Sequence, residues 1–159
     1  MAMSEVNNTE KANEIFETLC AALDSRGWHY EKDESVPLVH FSLQGEDIPM
    51  KMIIAVDQKR QVVRLLSRLP FTMDEEHRID GAIATCAVTS KLVNGCFDFD
   101  ILEGSITFRL TASYRESRLG KGLFLYMVDC AAAMVDDYND QFLALNKGRI
   151  DVGAFIDGD

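Results

Sequence analysis

The sequence contains no C-x-x-C pair, although it has four cysteines, Cys20, Cys86, Cys96 and Cys130. Redox and zinc-knuckle motifs of that spacing are therefore excluded. Each cysteine sits in an apolar pattern, where a free thiol packs as a small hydrophobe. A chain of 159 residues is long enough to build its core without disulfides. A reducing compartment, and hence a cytoplasmic location, is expected. Long hydrophobic runs are missing too. The longest, 122–128 and 130–135, are split by Asp129, well short of the roughly 20 residues a transmembrane helix requires. Met1–Glu10 is polar without a basic n-region, so no signal peptide is expected. Positive charge is scarce: Lys+Arg 16 stand against Asp+Glu 26, a net charge of −10. Such a chain repels phosphate backbones and anionic bilayers, so neither nucleic acid nor membrane is an expected partner.

Catalytic signatures are lacking as well. No G-x-S-x-G and no H-E-x-x-H is present, which removes the common nucleophile-elbow and metalloprotease patterns. Gly120-Lys121-Gly122 lacks the phosphate-loop spacing, and Leu123 follows where Ser or Thr would hold Mg²⁺. A flexible lead into a helix is the plainer role. No cofactor, metal or catalytic residue is assigned.

What is present is an ordered succession of helix and strand patterns. Ala12, Ile15, Phe16, Leu19, Cys20 and Leu23 recur at helical spacing and predict a helix from Thr9 to Arg26. Asn8 or Thr9 would cap it and Gly27 would end it. Short strands follow at Trp28–Glu31, Leu38–Leu43, Ile48–Val56 and Gln61–Leu69, the last stopped by Pro70. Polar turns between them imply an antiparallel meander. A second helix opens at Thr72 or Met73, with acidic Asp74, Glu75 and Glu76 in its first turn. Its predicted buried stripe is Ile79, Ile83, Cys86 and Val93, with Val88 and Leu92 beside it. Cys96–Ile101 and Ser105–Tyr114 make a hairpin about Leu102-Glu103-Gly104. The last helix, Leu119–Asn146, buries Phe124, Met127, Val128, Ala131, Val135, Tyr138, Phe142 and Leu145, and Gly148 ends it.

The order α-β-β-β-β-α-β-β-α shows no βαβ alternation. It predicts an α+β fold, an antiparallel sheet with long helices packed on one face. Three parts are expected: a disordered lead at 1–8, a single domain at 9–148 and a loose tail at 149–159.

Few side chains form candidate constellations. His29 and His40 fall on neighbouring strands, but a third metal ligand at sensible spacing is missing; His77 is expected to be solvated. Asp98, Asp100 and Glu103 could meet Mg²⁺ or Ca²⁺. They could equally pair across strands with Lys51, Arg64, Arg68 and Arg109, which project from the same face. Met50, Met52, Met127 and Met134 follow the local periodicity as core filler. Opposite the core, Ile53, Val62 and Leu66 share the outer sheet face with Arg64, Arg68 and Arg109. Arginine mixed with aliphatics is characteristic of interfaces, and these six are the candidate partner-binding residues. Scattered surface hydrophobics are the plain alternative, and a one-residue slip in register would exchange the two faces.

A resemblance joins these segments. Val62-Val63-Arg64-Leu65-Leu66-Ser67-Arg68-Leu69-Pro70-Phe71 ends a strand in Leu-Pro-Phe, ahead of the acidic Asp74-Glu75-Glu76. Leu92-Val93-Asn94-Gly95-Cys96-Phe97-Asp98-Phe99-Asp100, the strand Ser105-Ile106-Thr107-Phe108-Arg109 and Asp136-Asp137-Tyr138 follow in order. From about Trp28 to Leu145 the chain resembles the YbjN-type family of candidate bacterial sensory transduction regulators. That family is similar in fold to the small, acidic, dimeric chaperones of type III secretion. The resemblance implies a noncatalytic homodimer that binds another, unknown protein, and it supplies no catalytic residues. The Gly-rich acidic tail after Gly148 departs from the family pattern. A metal-dependent enzyme using Asp98, Asp100, Glu103 or a histidine, and a small-ligand sensor, are the competing readings.

Overall fold

The structure, a computed structural model, describes residues 2–33 and 35–157, with side chains from residue 8 onward. Helix α1 (Ala2–Ser25) is followed by strands β1 (Glu31–Lys32), β2 (Leu38–Gln44), β3 (Pro49–Asp57) and β4 (Val62–Thr72). A 3-10 turn, Glu75–His77, leads into α2 (Arg78–Lys91). Strands β5 (Cys96–Phe99) and β6 (Ser105–Ser113), α3 (Lys121–Asn146) and the short α4 (Gly153–Ile156) complete the chain. The six strands form one antiparallel sheet in the order β1-β2-β3-β4-β6-β5. The fold class is α+β; the element order read from the sequence holds through α3, but β1 lies at Glu31–Lys32 rather than Trp28–Glu31, and α4 follows where no element was expected. The first four strands form the meander. The last hairpin joins it through β6, which leaves β5 at the edge.

Period-two alternation builds the core. Val39 and Phe41 of β2, Met50, Met52, Ile54 and Val56 of β3, Val63, Leu65 and Leu69 of β4, and Ile106, Phe108 and Leu110 of β6 are all buried on one face. Helices α1 and α3 cover that face. Ala12, Ile15, Leu19, Cys20 and Leu23 are buried from α1, and Phe16 packs half-buried beside them. From α3, seven of the eight predicted stripe residues are buried, and Tyr138 is half-buried. Met50, Met52 and Met127 fill the core, and Met134 packs at its margin. Phe97 of β5 is the hub of the far end. Its ring meets Phe108, Tyr138 and Phe142 edge-on, with centroids 5.2, 5.8 and 5.2 Å away. That geometry suits the aromatic quadrupole.

Several segments quoted for the family resemblance turn out to place these parts. Asp136 Oδ1 accepts the backbone N–H of Glu46 at 3.1 Å, which ties the β2–β3 turn to α3. Asn146 Oδ1 accepts the N–H of Asp74 at 2.7 Å, which fixes the path from β4 to α2. The hydroxyl of Thr89 on α2 accepts the N–H of Phe97 at 2.9 Å and donates to its carbonyl at 3.4 Å. One side chain thus stands in for a neighbouring strand along the free edge of β5. Unpaired edges invite association, and α2 blunts this one.

Four sequence expectations are corrected. First, β4 does not stop before Pro70 but runs through it to Thr72. Pairing with β3 ends at Lys51↔Arg68, and the β6 register slips between Arg68↔Thr107 and Thr72↔Ser105. Pro70, with no N–H to give, sits in that irregularity, where a ladder bond is not demanded. Second, α2 presents the opposite side. Its buried residues are Gly81, Ala84, Thr85 and Val88, while Ile79 is 65% exposed, Ile83 42%, and Cys86 and Val93 are exposed too. Size decides this. Gly81 packs directly against the Phe99 ring, and an isoleucine turned inward would hold the helix off the sheet.

Third, the lead is helical from Ala2; no Pro or Gly interrupts it. Met1 lies outside the described residues. Asn8 and Thr9 do not cap but accept bonds from Gln61 and Gln58, at 2.8 and 2.6 Å, and tie α1 to the β3–β4 turn. Fourth, the tail is docked. Phe155 of α4 is buried and stacks on Phe142 at 5.4 Å. Gly158 and Asp159 lie outside the described residues.

Two substitutions probe this packing. Gly104 ends the β5–β6 turn with φ at 75°, and a Cβ there would strike the Met73 carbonyl oxygen. Gly104→Ala should lower stability by about 1–3 kcal/mol from the backbone alone, read as a fall in melting temperature. Ser67 is 1% exposed on the core side of β4, and among the described residues its hydroxyl has no partner. An unsatisfied buried hydroxyl is costly, so Ser67→Ala should raise stability by about 1 kcal/mol. Chemical denaturation checks both signs.

Candidate partner-binding site

The register places the six candidate residues Ile53, Val62, Arg64, Leu66, Arg68 and Arg109 together on the face opposite the core. One row crosses five strands as His40↔Ile53↔Leu66↔Arg109↔Cys96. The next runs Ser42↔Lys51↔Arg68↔Thr107↔Asp98, and another Leu38↔Ala55↔Arg64↔Thr111. No slip exchanges the faces, because Met52, Ile54, Val63 and Leu65 between these positions are buried. Ile53 is 40% exposed, and Val62 and Leu66 are half-buried among the long basic side chains. Arg and Lys stems cover such aliphatics while their heads stay in water.

Charge on this face is mostly basic. Arg109 donates from Nε and Nη2 to the two carboxylate oxygens of Asp98, at 2.6 and 3.0 Å. This fork holds the Asp98 carboxyl below its usual range and raises the Arg109 guanidinium. Burial first, and then the Asp98 charge, push the neighbouring Cys96 thiol up, away from the reactive thiolate. Arg68 donates to Glu103 at 3.0 Å. Arg64 approaches Asp57 only at 4.0 Å, because that carboxylate is committed to Arg60 at 2.9 Å. Lys51 makes no ion pair among the described residues.

Two hollows lie on the face. One, of about 700 Å³, is bounded by Pro49, Lys51, Ile53, Leu66, Arg68, Leu69, Pro70, Phe71, Thr72 and Thr107. It opens where β4 parts from β3 at the Pro70 irregularity. Sequence reasoning found Ile53, Leu66 and Arg68 but missed the walls, Pro49 and Phe71. The signal was there as the proline inside a strand pattern, read as a stop rather than a bulge. The second hollow, of about 450 Å³, lies towards β1 and is lined by His29, Glu31, His40, Lys51 and Ile53 among others. Both histidines of the sequence pair reach it, and His40 Nε2 sits 3.4 Å from Glu31.

The acidic triplet is drawn into pairing and turn formation. Asp98 pairs with Arg109, and Glu103 pairs with Arg68. Asp100 accepts the N–H groups of Leu102 and Glu103 at 2.8 and 3.0 Å, and these bonds lower its pKa. Among the described residues no cluster of three or more His, Cys, Asp or Glu could hold a metal ion. His77 is not fully solvated; its side chain is 24% exposed and lies 3.5 Å from Glu76. Gly120 precedes α3 without a side-chain cap.

A second exposed surface was not legible as such. Ile79, Ile83 and Cys86, at helical spacing, make an apolar stripe on the outer side of α2. Ile156 of α4, a helix that packs against α2, is 55% exposed. No described helix is long and apolar enough to cross a membrane.

No protein-family model and no curated protein sequence matches the chain. Among solved structures it is similar to YbjN from E. coli, described as a candidate transcription regulator. The TM-score is 0.57 at 11% sequence identity, over 79% of this chain and 92% of that one. It is also similar to a chain of the HopA1–SchA chaperone–effector complex, with a TM-score of 0.48 at 10% identity, over 85% of this chain and 96% of that one. At such identities the likeness to YbjN is one of fold, and this α+β architecture is the one the two chains share.

Proposed function

We propose that this protein is a noncatalytic, homodimeric binding module that recognises another protein through its outer sheet face. The observation that carries the reading is the composition of that face. On a chain of net charge −10, Lys51, Arg64, Arg68 and Arg109 stand together around Ile53, Val62 and Leu66. Basic side chains interleaved with partly exposed aliphatics suit a protein partner more than bulk water. Of the three carboxylates near this face, Asp98 and Glu103 are paired with arginines and Asp100 is held in a turn.

Self-association is supported by a separate feature. Helix α2 turns Ile79 and Ile83 outward and keeps its small residues inside. A two-fold axis across an apolar helix stripe makes a self-complementary contact. Regulatory and chaperone-like roles both follow from such a module, and the fold shared with YbjN is consistent with them.

Light scattering across a dilution series tests the dimer. The expected molar mass is twice the monomer's, and Ile79→Asp/Ile83→Asp should halve it while leaving the circular dichroism spectrum unchanged. A monomer at tens of micromolar would overturn the dimer. For the partner, affinity capture with the wild type is compared with Ile53→Asp/Leu66→Asp. A protein held by the first and lost by the second supports the reading, and identical captures from both would sink it.

A further inference from the structure

We propose that the groove at the β4 irregularity is a docking site for an acidic partner segment that carries an apolar anchor. The occupant would be an aliphatic or aromatic side chain flanked by Asp or Glu. This deepens the protein-binding reading above and rests on it.

The groove has a physical origin. Pairing of β4 with β3 ends at Lys51↔Arg68, and β6 re-engages only at Thr72↔Ser105. Pro70 has no N–H with which to close the gap. The strand parts from its neighbour there and leaves a hollow of about 700 Å³ on an otherwise continuous sheet. Ile53, Leu66, Pro49 and Phe71 give it an apolar lining. Phe71 packs on the core as well, so that side chain is held in place. A concave, mostly apolar site with a few polar groups at its margin is the general form of a side-chain pocket.

Charge then selects the occupant. The rim carries Lys51 and Arg68. Lys51 has no ion-pair partner among the described residues. Arg68 is paired with Glu103, but both side chains are more than half exposed, at 54% and 60%. An exposed pair of this kind contributes little to stability, so an incoming carboxylate can replace Glu103 at little cost. Arg64 lies one row further along the face. A partner with carboxylates beside its anchor meets complementary charge, whereas a basic segment is repelled. The rest of the chain, acidic overall, disfavours nucleic acid at the same surface.

A displayed library of random dodecapeptides, selected on the wild-type protein at low salt, tests this. The expected outcome is enrichment of sequences with Asp or Glu next to Leu, Ile, Phe or Trp. Fluorescence anisotropy of an enriched peptide should weaken about tenfold with Lys51→Glu, a charge change on an exposed rim that leaves the fold intact, and more with Ile53→Asp. A shift in the melting curve of Ile53→Asp would flag misfolding, and the Lys51→Glu result then decides. Enrichment of basic or uncharged motifs would overturn the proposal. So would peptides that bind both variants as tightly as the wild type, although the protein-binding reading would then survive at another surface. No enriched peptide at all overturns this proposal, and the capture comparison above then decides the protein-binding reading. Tighter binding of a labelled single-stranded oligonucleotide than of any peptide, lost with Lys51→Glu, would reassign the site to a phosphate backbone.

Discussion

Everything in this molecule follows from a sheet covered on one side only. The long helices α1 and α3, with α2 and α4 at the β5 end, bury one face of the sheet, and among the described residues no helix covers the other. Strands β2 to β6 therefore alternate, with their buried members fixed by the core. The outer members are released from packing and free to carry charge. The register that buries Met52, Ile54, Val63 and Leu65 is the same one that aligns Ile53, Leu66 and Arg109 on the far side. A surface for a partner comes with the core.

The ends of the sheet show how the remaining edges are handled. At the β1 side the edge is blunted by brevity, since β1 has two residues. At the β5 side the Thr89 hydroxyl bonds both backbone groups of Phe97. That contact depends on α2 lying close, and the close approach depends on Gly81, Ala84 and Thr85 facing inward. The larger isoleucines are then displaced to the outside. Covering the edge and exposing the apolar stripe of α2 are one packing solution, and the cluster around Phe97 holds it against α3.

The irregularity in β4 links backbone chemistry to the candidate site. A proline within a paired strand forces the ladder to give way, and a gap in a ladder is a place where a surface becomes concave. Pro49, at the start of β3, stands on the same margin. The basic rim is set by the strand rows, so the groove and its charge arise from different constraints that meet at Lys51 and Arg68.

By itself the amino-acid sequence determined the element order through α3, the α+β class, the inner and outer members of β2, β3, β4 and β6, and the faces of α1 and α3. These are properties of periodicity, which local residues carry without help. It also brought the six outer-face residues together on paper, since a period of two needs only the right register. Only the tertiary structure decided the rest. Hydrophobicity pointed α2 the wrong way because the contact with Phe99 is limited by size, and size matters only once two surfaces meet. Pro70 read as a stop because local rules do not know that neighbouring strands can tolerate a bulge there. The tail read as loose because the apolar wall that receives Phe155 belongs to Phe142, thirteen residues earlier in the chain. The groove, likewise, exists only between strands. Pairing distances and shapes of that kind are set by partners distant in sequence, and no local pattern encodes them.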